Sequence, residues 1–166
     1  MKKWLFTLLT VLLTVAGCGV LSTETREEKA AREIREAQQI REFVETGSLK
    51  VRIDRMYPIR GTSRSVNDFS LEVKDGILNS YLPYFGQVWR APYGGGHGLN
   101  FKAEIGHYSV ARTRNDGYDV RIYVKTDEDE HWYLLTVFDN GRVSLDVQSV
   151  NRERISYSGL VEFPAE

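Results

Sequence analysis

Residues 117–149 read GYDVRIYVKTDEDEHWYLLTVFDNGRVSLDVQS, and this stretch decides the fold. Apolar residues occupy every second position over residues 118–124 and again over residues 143–147, which is the period of a half-buried β-strand. The run 132–138 between them is apolar on both faces, which is typical of a central or doubly covered strand. The short connections that join the three segments predict antiparallel hairpins.

The same alternation extends to most of the chain after residue 47. It recurs in three further segments, residues 51–54, 69–73 and 155–161. Asp75-Gly76 and Asp116-Gly117 supply the positive φ angles that tight hairpins need. The sequence therefore predicts a mainly β fold, a single antiparallel β-sandwich or small barrel of about eight strands.

A charged segment precedes the β region and has helical periodicity. Thr25 and Glu28 have the spacing of a capping box, and Gly47 is a suitable helix stop. Apolar residues recur on one helical face, at Ala30, Ile34, Ala37, Ile40 and Val44. Two interpretations remain open: a spacer arm that holds the domain off a membrane or docks a partner, and a helix packed on its own domain.

The first residues resemble a secretory leader. Lys2 and Lys3 precede an uncharged run of 13 residues, 4–16, which would extend only about 20 Å as a helix. Because a hydrocarbon core is about 30 Å thick, this run is too short for a comfortable membrane span and fits a signal peptide.

The lone cysteine follows this leader directly. Val15-Ala16-Gly17-Cys18 resembles the lipobox of bacterial lipoproteins, which implies cleavage before Cys18 and its modification with acyl chains such as palmitate. Gly19 stands where an aspartate would signal inner-membrane retention, so we expect an outer membrane location, on the periplasmic face or the cell surface. The predicted organisation is a signal peptide (1–17), a lipidated N-terminus with a charged helical arm (18–47) and an antiparallel β domain (48–166).

Composition excludes several classes of function. The 166 residues carry 22 Lys and Arg against 23 Asp and Glu, a balance that offers no electrostatic footprint for nucleic acid. A single cysteine excludes a disulfide framework and any multi-cysteine metal site. The length is that of one domain.

An aromatic, glycine-rich stretch holds the candidate contact residues. Residues 80–100 read SYLPYFGQVWRAPYGGGHGLN and predict a long loop. The aromatic candidates in it for contact with a ligand or partner are Tyr81, Tyr84, Phe85, Trp89 and Tyr93. Arg60 and Arg64, in a neighbouring loop, add a possible anion contact. The competing interpretation is that the aromatic residues are buried and cap the open end of the sheet.

No motif for catalysis, a metal or a cofactor stands out. The loop 94–98 lacks the Lys-Ser/Thr ending of a phosphate loop. The three histidines, His97, His107 and His131, lack the spacing of a pair of metal ligands on a helix. The acidic run 127–130 is predicted to be a solvated turn. We therefore expect no catalytic residue, metal or cofactor.

Several longer strings resemble a known family. These strings are RMYPIRGTSRSVNDFSLEV, SYLPYFGQVWRAPYGGGHGLNF, LTVFDNGRVSLDVQS and ISYSG. They resemble a family of small bacterial lipoproteins that carry domain of unknown function 4251, over most of residues 25–163. The resemblance implies an envelope location and a single domain, and it implies no activity, ligand or catalytic residue.

The sequence favours a non-catalytic binding or interaction module attached to the envelope by the acyl chains on Cys18, with a protein or glycan as partner and no nucleic acid. Two alternatives remain. One is an envelope hydrolase that acts on a polymer such as a glycan or peptide, and the other is a structural subunit of an envelope complex.

The membrane attachment is testable by removing the acylated thiol. Cys18→Ser is expected to release the protein from the membrane fraction, because no acyl chain can then be attached. The measurement is fractionation of cells after an alkaline wash, with Ser22→Ala as the control that stays with the membranes. A Cys18→Ser protein that still sediments with membranes would contradict the lipid anchor.

Overall fold

The computed structural model describes residues 25–90 and 98–163. The predicted leader, Cys18 and Tyr93 lie outside the described residues. Within these two ranges, one helix and eight strands follow one another. They are α1 (Arg26–Thr46), β1 (Leu49–Pro58), β2 (Arg64–Lys74), β3 (Ile77–Leu82), β4 (Leu99–Arg112), β5 (Gly117–Lys125), β6 (Glu130–Phe138), β7 (Arg142–Ser149) and β8 (Ile155–Val161).

The eight strands form a closed barrel. Each strand pairs antiparallel with the next one along the chain, and β8 pairs with β1 to close the cylinder. The predicted mainly β fold of about eight antiparallel strands is confirmed, and of the two architectures the structure adopts the barrel. Gly159 makes the closure possible, because a Cβ atom at this position would collide with the carbonyl oxygen of Arg52 on β1.

Side chains fill the interior of the barrel. Alternate residues on each strand point inward, and the largest of those that are almost completely buried include Tyr133, Tyr157, Leu135 and Leu145. Eight-stranded barrels are just wide enough for such side chains to meet at the centre. The interior is therefore the hydrophobic core of the domain.

Strand β6 departs from the prediction of a strand covered on both faces. Tyr133 points inward and is fully buried, whereas its neighbour Trp132 points outward with 41% of its surface exposed. Trp132 packs against Tyr123 on β5, with 4.8 Å between the ring centroids. The outward apolar residues of β6 are thus half-covered by their neighbours on adjacent strands.

The predicted hairpin turns are confirmed. Asp75 and Gly76 both have positive φ, 52° and 75°, as a two-residue turn between β2 and β3 requires. Asp116 also has positive φ, 45°, in the turn between β4 and β5, but Gly117 does not have a positive φ and is the first residue of β5. These short turns lie at the same end of the barrel as α1.

Helix α1 begins and ends at the predicted signals. The Thr25 backbone N–H donates to Glu28 Oε2 over 2.9 Å, and the Glu28 N–H donates to Thr25 Oγ1 over 3.2 Å, which is a capping box. Gly47 follows the last turn with a φ of 67°.

Within Ala31–Glu166, the C-terminal half of α1 packs on the barrel. The chain divides into two compact units after Ala30, and the contacts described here lie within the second. Ile40 and Val44 are fully buried, and Tyr108 on β4 donates its hydroxyl hydrogen to the Val44 carbonyl oxygen over 2.7 Å. Ile34, on the same predicted apolar face, is 59% exposed. The apolar face therefore packs on its own domain through its C-terminal half.

The helix has no membrane-spanning character. Among residues 25–90 and 98–163, no helix is both long enough and apolar enough to cross a bilayer.

The two ends of the barrel are built differently. The helix end carries α1 and the tight turns. The loop end is formed by four connections, residues 59–63, 83–90, 126–129 and 150–154. Binding and catalytic residues are commonly carried by loops that a rigid scaffold positions. A functional site is therefore expected at the loop end of the barrel.

Two isoleucines of α1 provide a matched test of helix packing. Ile40→Ala is expected to lower the free energy of unfolding by about 2–5 kcal/mol, because it leaves a cavity beneath the helix. Ile34→Ala removes the same atoms from an exposed position and should change the free energy of unfolding by less than about 0.5 kcal/mol. Urea unfolding measures both values. Equal losses for the two variants would contradict the packing of α1 described here.

Candidate functional site

The segment 83–90 lies across the loop end and pairs with the β7–β8 connection. The Trp89 N–H donates to the Asn151 carbonyl over 2.9 Å, and the Glu153 N–H donates to the Gln87 carbonyl over 2.9 Å. The predicted loop 80–100 is shorter than expected, since residues 80–82 belong to β3 and residues 99–100 to β4. Backbone pairing with a second connection gives this segment a defined conformation.

Two tyrosines fix the segment to the barrel. The Tyr84 hydroxyl lies 2.8 Å from the Gln87 carbonyl oxygen and 3.0 Å from that of Glu153. Tyr157, which points into the barrel, donates to the Pro83 carbonyl over 2.6 Å. Burial raises the pKa of Tyr84, so its hydroxyl keeps its hydrogen at neutral pH.

The predicted contact residues divide into two groups. Tyr84 is half-buried and holds the loop in place, as the capping interpretation expects. Phe85 and Trp89 are exposed, Trp89 by 65%. Tyr81 is exposed on the outer wall of the barrel, where it stacks on Phe69 with 5.2 Å between the ring centroids.

The two predicted arginines lie beside these aromatic residues. The Arg64 guanidinium carbon is 4.5 Å from the centroid of the Phe85 ring, within the range of a cation–π contact. Arg60 Nε is 3.4 Å from Oε1 of Glu153, whose Oε2 accepts a hydrogen bond from the Gln87 N–H over 3.2 Å. Both side chains are thus held close to the segment 83–90.

Three further exposed apolar residues accompany Phe85 and Trp89, and none of the three is a predicted contact residue. Together they form what we call the apolar loop surface: Ile59, Phe85, Val88, Trp89 and Val150. The three connections that carry these residues are joined by the Arg60–Glu153 ion pair and the Trp89–Asn151 hydrogen bond. Large apolar residues inside polar loops are the signal that would have identified them.

A second feature of the loop end is a pocket of about 330 Å³, which we call the acidic pocket. Its charged and aromatic lining residues are Phe101, Asp127, Glu128, Asp129, His131 and Arg152. The sequence predicts a solvated turn for residues 127–130. Asp127 and Glu128 are indeed exposed, but Asp129 is buried, and in this respect the prediction is wrong.

Asp129 is held in place through one of its carboxylate oxygens. Oδ1 accepts hydrogen bonds from the Glu130 N–H (2.9 Å), the Asn151 N–H (3.1 Å) and the Asn151 side-chain amide (3.2 Å). Oδ2 is buried and accepts no hydrogen bond from the described residues. Its cationic neighbour, Arg152 Nε, is 3.8 Å away, which is too long for a hydrogen bond.

His131 lies at the base of the same pocket and is uncharged at neutral pH. Its ring stacks on Phe101 at 4.9 Å, and Nδ1 lies 2.8 Å from the Ser149 hydroxyl oxygen. The pKa of His131 is lowered to about 4. Burial is the main cause, the Asp129 carboxylate opposes the shift, and the Arg152 guanidinium adds to it.

The contact between Ser149 and His131 pairs a hydroxyl with an imidazole, as a nucleophile and its base do, but the hydroxyl does not line the acidic pocket. The two residues are directly opposite each other on β7 and β6, and Ser149 is not among the residues that line the acidic pocket. In a catalytic pair the hydroxyl must face the bound substrate. Among the described residues, no group of three or more His, Cys, Asp and Glu side chains is arranged to hold a metal ion.

The chain matches the model of a known protein family. Residues 31–161, most of the chain, match the model of a family described as Domain of unknown function (DUF4251). The chain belongs to the DUF4251 family. This result confirms the resemblance found in the sequence, and the lipoprotein character remains a prediction.

A solved structure of a DUF4251 protein has a similar fold. The crystal structure of a DUF4251 family protein from Bacteroides eggerthii DSM 20697 superposes with a TM-score of 0.63 at 12% sequence identity. The match covers 79% of this chain and 89% of that chain. At this identity the likeness concerns the fold alone. No match is found among curated proteins.

The depressed pKa of His131 predicts a pH-dependent stability. The unfolded chain, in which the histidine pKa is near 6.5, binds the proton more readily than the folded protein, where it is about 4. The free energy of unfolding should therefore fall as the pH falls from about 6.5 to about 4. The contribution of His131 to this fall is on the order of 3 kcal/mol.

His131→Asn keeps a polar group near Ser149 and removes the titratable imidazole. The free energy of unfolding should therefore fall less between neutral and acidic pH in this variant than in the wild type. His107→Asn, at an exposed position, is the matched control and should retain the wild-type slope. Urea unfolding at several pH values between about 4 and 7 gives these slopes. The assignment to His131 is wrong if the two variants lose the same amount of pH dependence.

Proposed function

We propose that this DUF4251 protein is a non-catalytic interaction module, tethered to the outer membrane by acyl chains on Cys18, that binds an acidic protein surface with its loop end. The observation that carries the proposal is the apolar loop surface. Large apolar side chains that are exposed on connections in contact with one another are typical of an interaction surface. Tryptophan, tyrosine and arginine are also the residue types that most often dominate the energy of protein interfaces.

The charges beside this surface favour an acidic partner. Arg60 and Arg90 are exposed on the connections that carry the apolar residues, and Arg64 is exposed at the start of β2, where the connection 59–63 ends. Glu153, the carboxylate nearest to them in the β7–β8 connection, is buried and paired with Arg60. Complementary charge steers association and excludes partners of the same sign.

The rigidity of the segment 83–90 also supports binding. Its backbone pairs with the β7–β8 connection, and Tyr84 and Tyr157 fix it to the barrel. Trp89 and Phe85 are therefore presented in a defined orientation before any partner arrives. A surface that is already ordered loses less conformational entropy on binding.

The tether adds to the binding by confinement. Two or more acyl chains hold a protein stably at a bilayer, whereas a single chain gives only marginal attachment. A module confined to one membrane meets partners in the same membrane at a raised effective concentration. A modest intrinsic affinity is then sufficient for association.

Two tryptophans allow a matched test of this proposal. A photo-crosslinking amino acid is placed at Trp89, or at Trp132 on the barrel wall, in the full-length lipoprotein in its native cells. We expect a discrete adduct with one protein from position 89 and not from position 132. Arg60→Glu combined with Arg64→Glu should reduce the yield at position 89 by about tenfold, because the charge complementarity is reversed.

Three outcomes would contradict the proposal. They are the absence of an adduct at position 89, the same adducts from both positions, and an adduct whose mass is that of a glycan. The charge-reversal variant is first compared with wild type by urea unfolding, so that a loss of yield is not a loss of folding.

A further inference from the structure

We infer that the acidic pocket binds an alkylammonium or guanidinium group. This inference is independent of the apolar loop surface, because it concerns a different part of the loop end and a different chemistry. The pocket is built by the β5–β6 connection, the beginning of β4 and Arg152.

The first support is the balance of charge in the lining. Asp127, Glu128 and Asp129 contribute three carboxylates, and Arg152 contributes one guanidinium. His131 adds no positive charge at neutral pH, because burial keeps its pKa near 4. The pocket therefore carries a net negative charge that one monovalent cation would reduce.

The second support is a buried acceptor that lacks a donor. The Asp129 side chain is only 3% exposed, and its Oδ2 accepts no hydrogen bond from the described residues. A buried charged oxygen is stabilised when an N–H group approaches it, and charged donors form the strongest such bonds. An ammonium or guanidinium group carries several N–H donors and suits this oxygen, which a small shift of the lining side chains must uncover because the oxygen itself is enclosed.

Arg152 is not free to supply that donor. Its Nη1 donates to the Gly98 carbonyl over 2.8 Å, and its guanidinium carbon is 5.6 Å from the centroid of the Tyr84 ring. These contacts hold Nε at 3.8 Å from Asp129 Oδ2. The backbone and the Tyr84 ring thus fix the guanidinium beyond hydrogen-bond distance of the oxygen.

The third support is the aromatic wall of the pocket. Phe101 and His131 are stacked, and both line the pocket. An organic cation gains a cation–π contact from an aromatic wall and apolar contact for its methylene groups. A volume of about 330 Å³ is at the small end of ligand pockets, which suits a single side chain or a small amine.

The experiment measures binding of defined probes to the purified full-length protein by isothermal titration calorimetry. Propylguanidinium represents a free small cation, and N-acetylarginine amide represents a basic side chain of a peptide. Propylurea and N-acetylcitrulline amide are their uncharged isosteres. We expect each guanidinium probe to bind at least about tenfold more tightly than its isostere, since a charge-assisted hydrogen bond is lost in the isostere.

The ratio of the two cationic probes then identifies the source of the group. Tighter binding of N-acetylarginine amide assigns the pocket to a basic side chain of a protein, and equal binding assigns it to a free small cation. Either result supports the inference.

Substitutions place the binding in the pocket. Asp129→Asn replaces the unpaired acceptor with a donor and should weaken propylguanidinium binding by about tenfold or more. Asp75→Asn makes the same change in a turn at the helix end and should leave binding unchanged. Glu128→Gln, at an exposed position, should weaken binding by a smaller factor and serves as the test if Asp129→Asn fails to fold.

The inference is overturned if propylguanidinium and propylurea bind equally, if neither binds at millimolar concentration, or if the pocket variants bind like Asp75→Asn. Trp89→Ala separates this result from the proposed function. It removes part of the apolar loop surface and should not change propylguanidinium binding, so either proposal can fail while the other stands.

Discussion

Closure of the barrel between β1 and β8 is the constraint on which the rest of the structure depends. The closing pair requires two backbones to approach so closely that only glycine fits at position 159 against Arg52. With this pair formed, none of the eight strands in the described part of the chain is left as an unpaired edge, and half of the side chains of each strand must point to the centre. Eight strands leave an interior narrow enough for these side chains to fill, and here large buried residues fill it.

A filled interior moves any binding function to the surface and the ends. Helix α1 occupies one end through Ile40 and Val44, and the hydroxyl of Tyr108 fixes its last turn. The other end is covered by the segment 83–90, which crosses it and pairs with the β7–β8 connection. That cover has an apolar outer surface and leaves a charged pocket beside it, so both candidate sites arise from the way in which one end of the barrel is closed.

The sequence could predict the strands because their signal is local. Alternation over residues 118–124 and the turn at Asp75-Gly76 depend on neighbours in the chain, and both agree with the structure. The roles of Tyr84 and Trp89 could not be separated in this way. Both are aromatic residues in one loop, and only the partners across the barrel end make one buried and the other exposed. Burial of Asp129 likewise depends on Asn151, which is 22 positions away.

The buried charges at the loop end add little to the stability of the fold, and the proposed cation site gives them a role. A buried ion pair with imperfect geometry contributes little to stability, because its desolvation cost offsets the attraction. Asp129 and Arg152 are such a pair, at 3.8 Å, while apolar side chains fill the neighbouring interior. Exposed arginines accompany the apolar loop surface and carboxylates line the pocket, so under the two proposals together a partner that covered both would present acidic groups beside one basic group. Such alternation of charge fixes the orientation of a partner and excludes uniformly charged competitors.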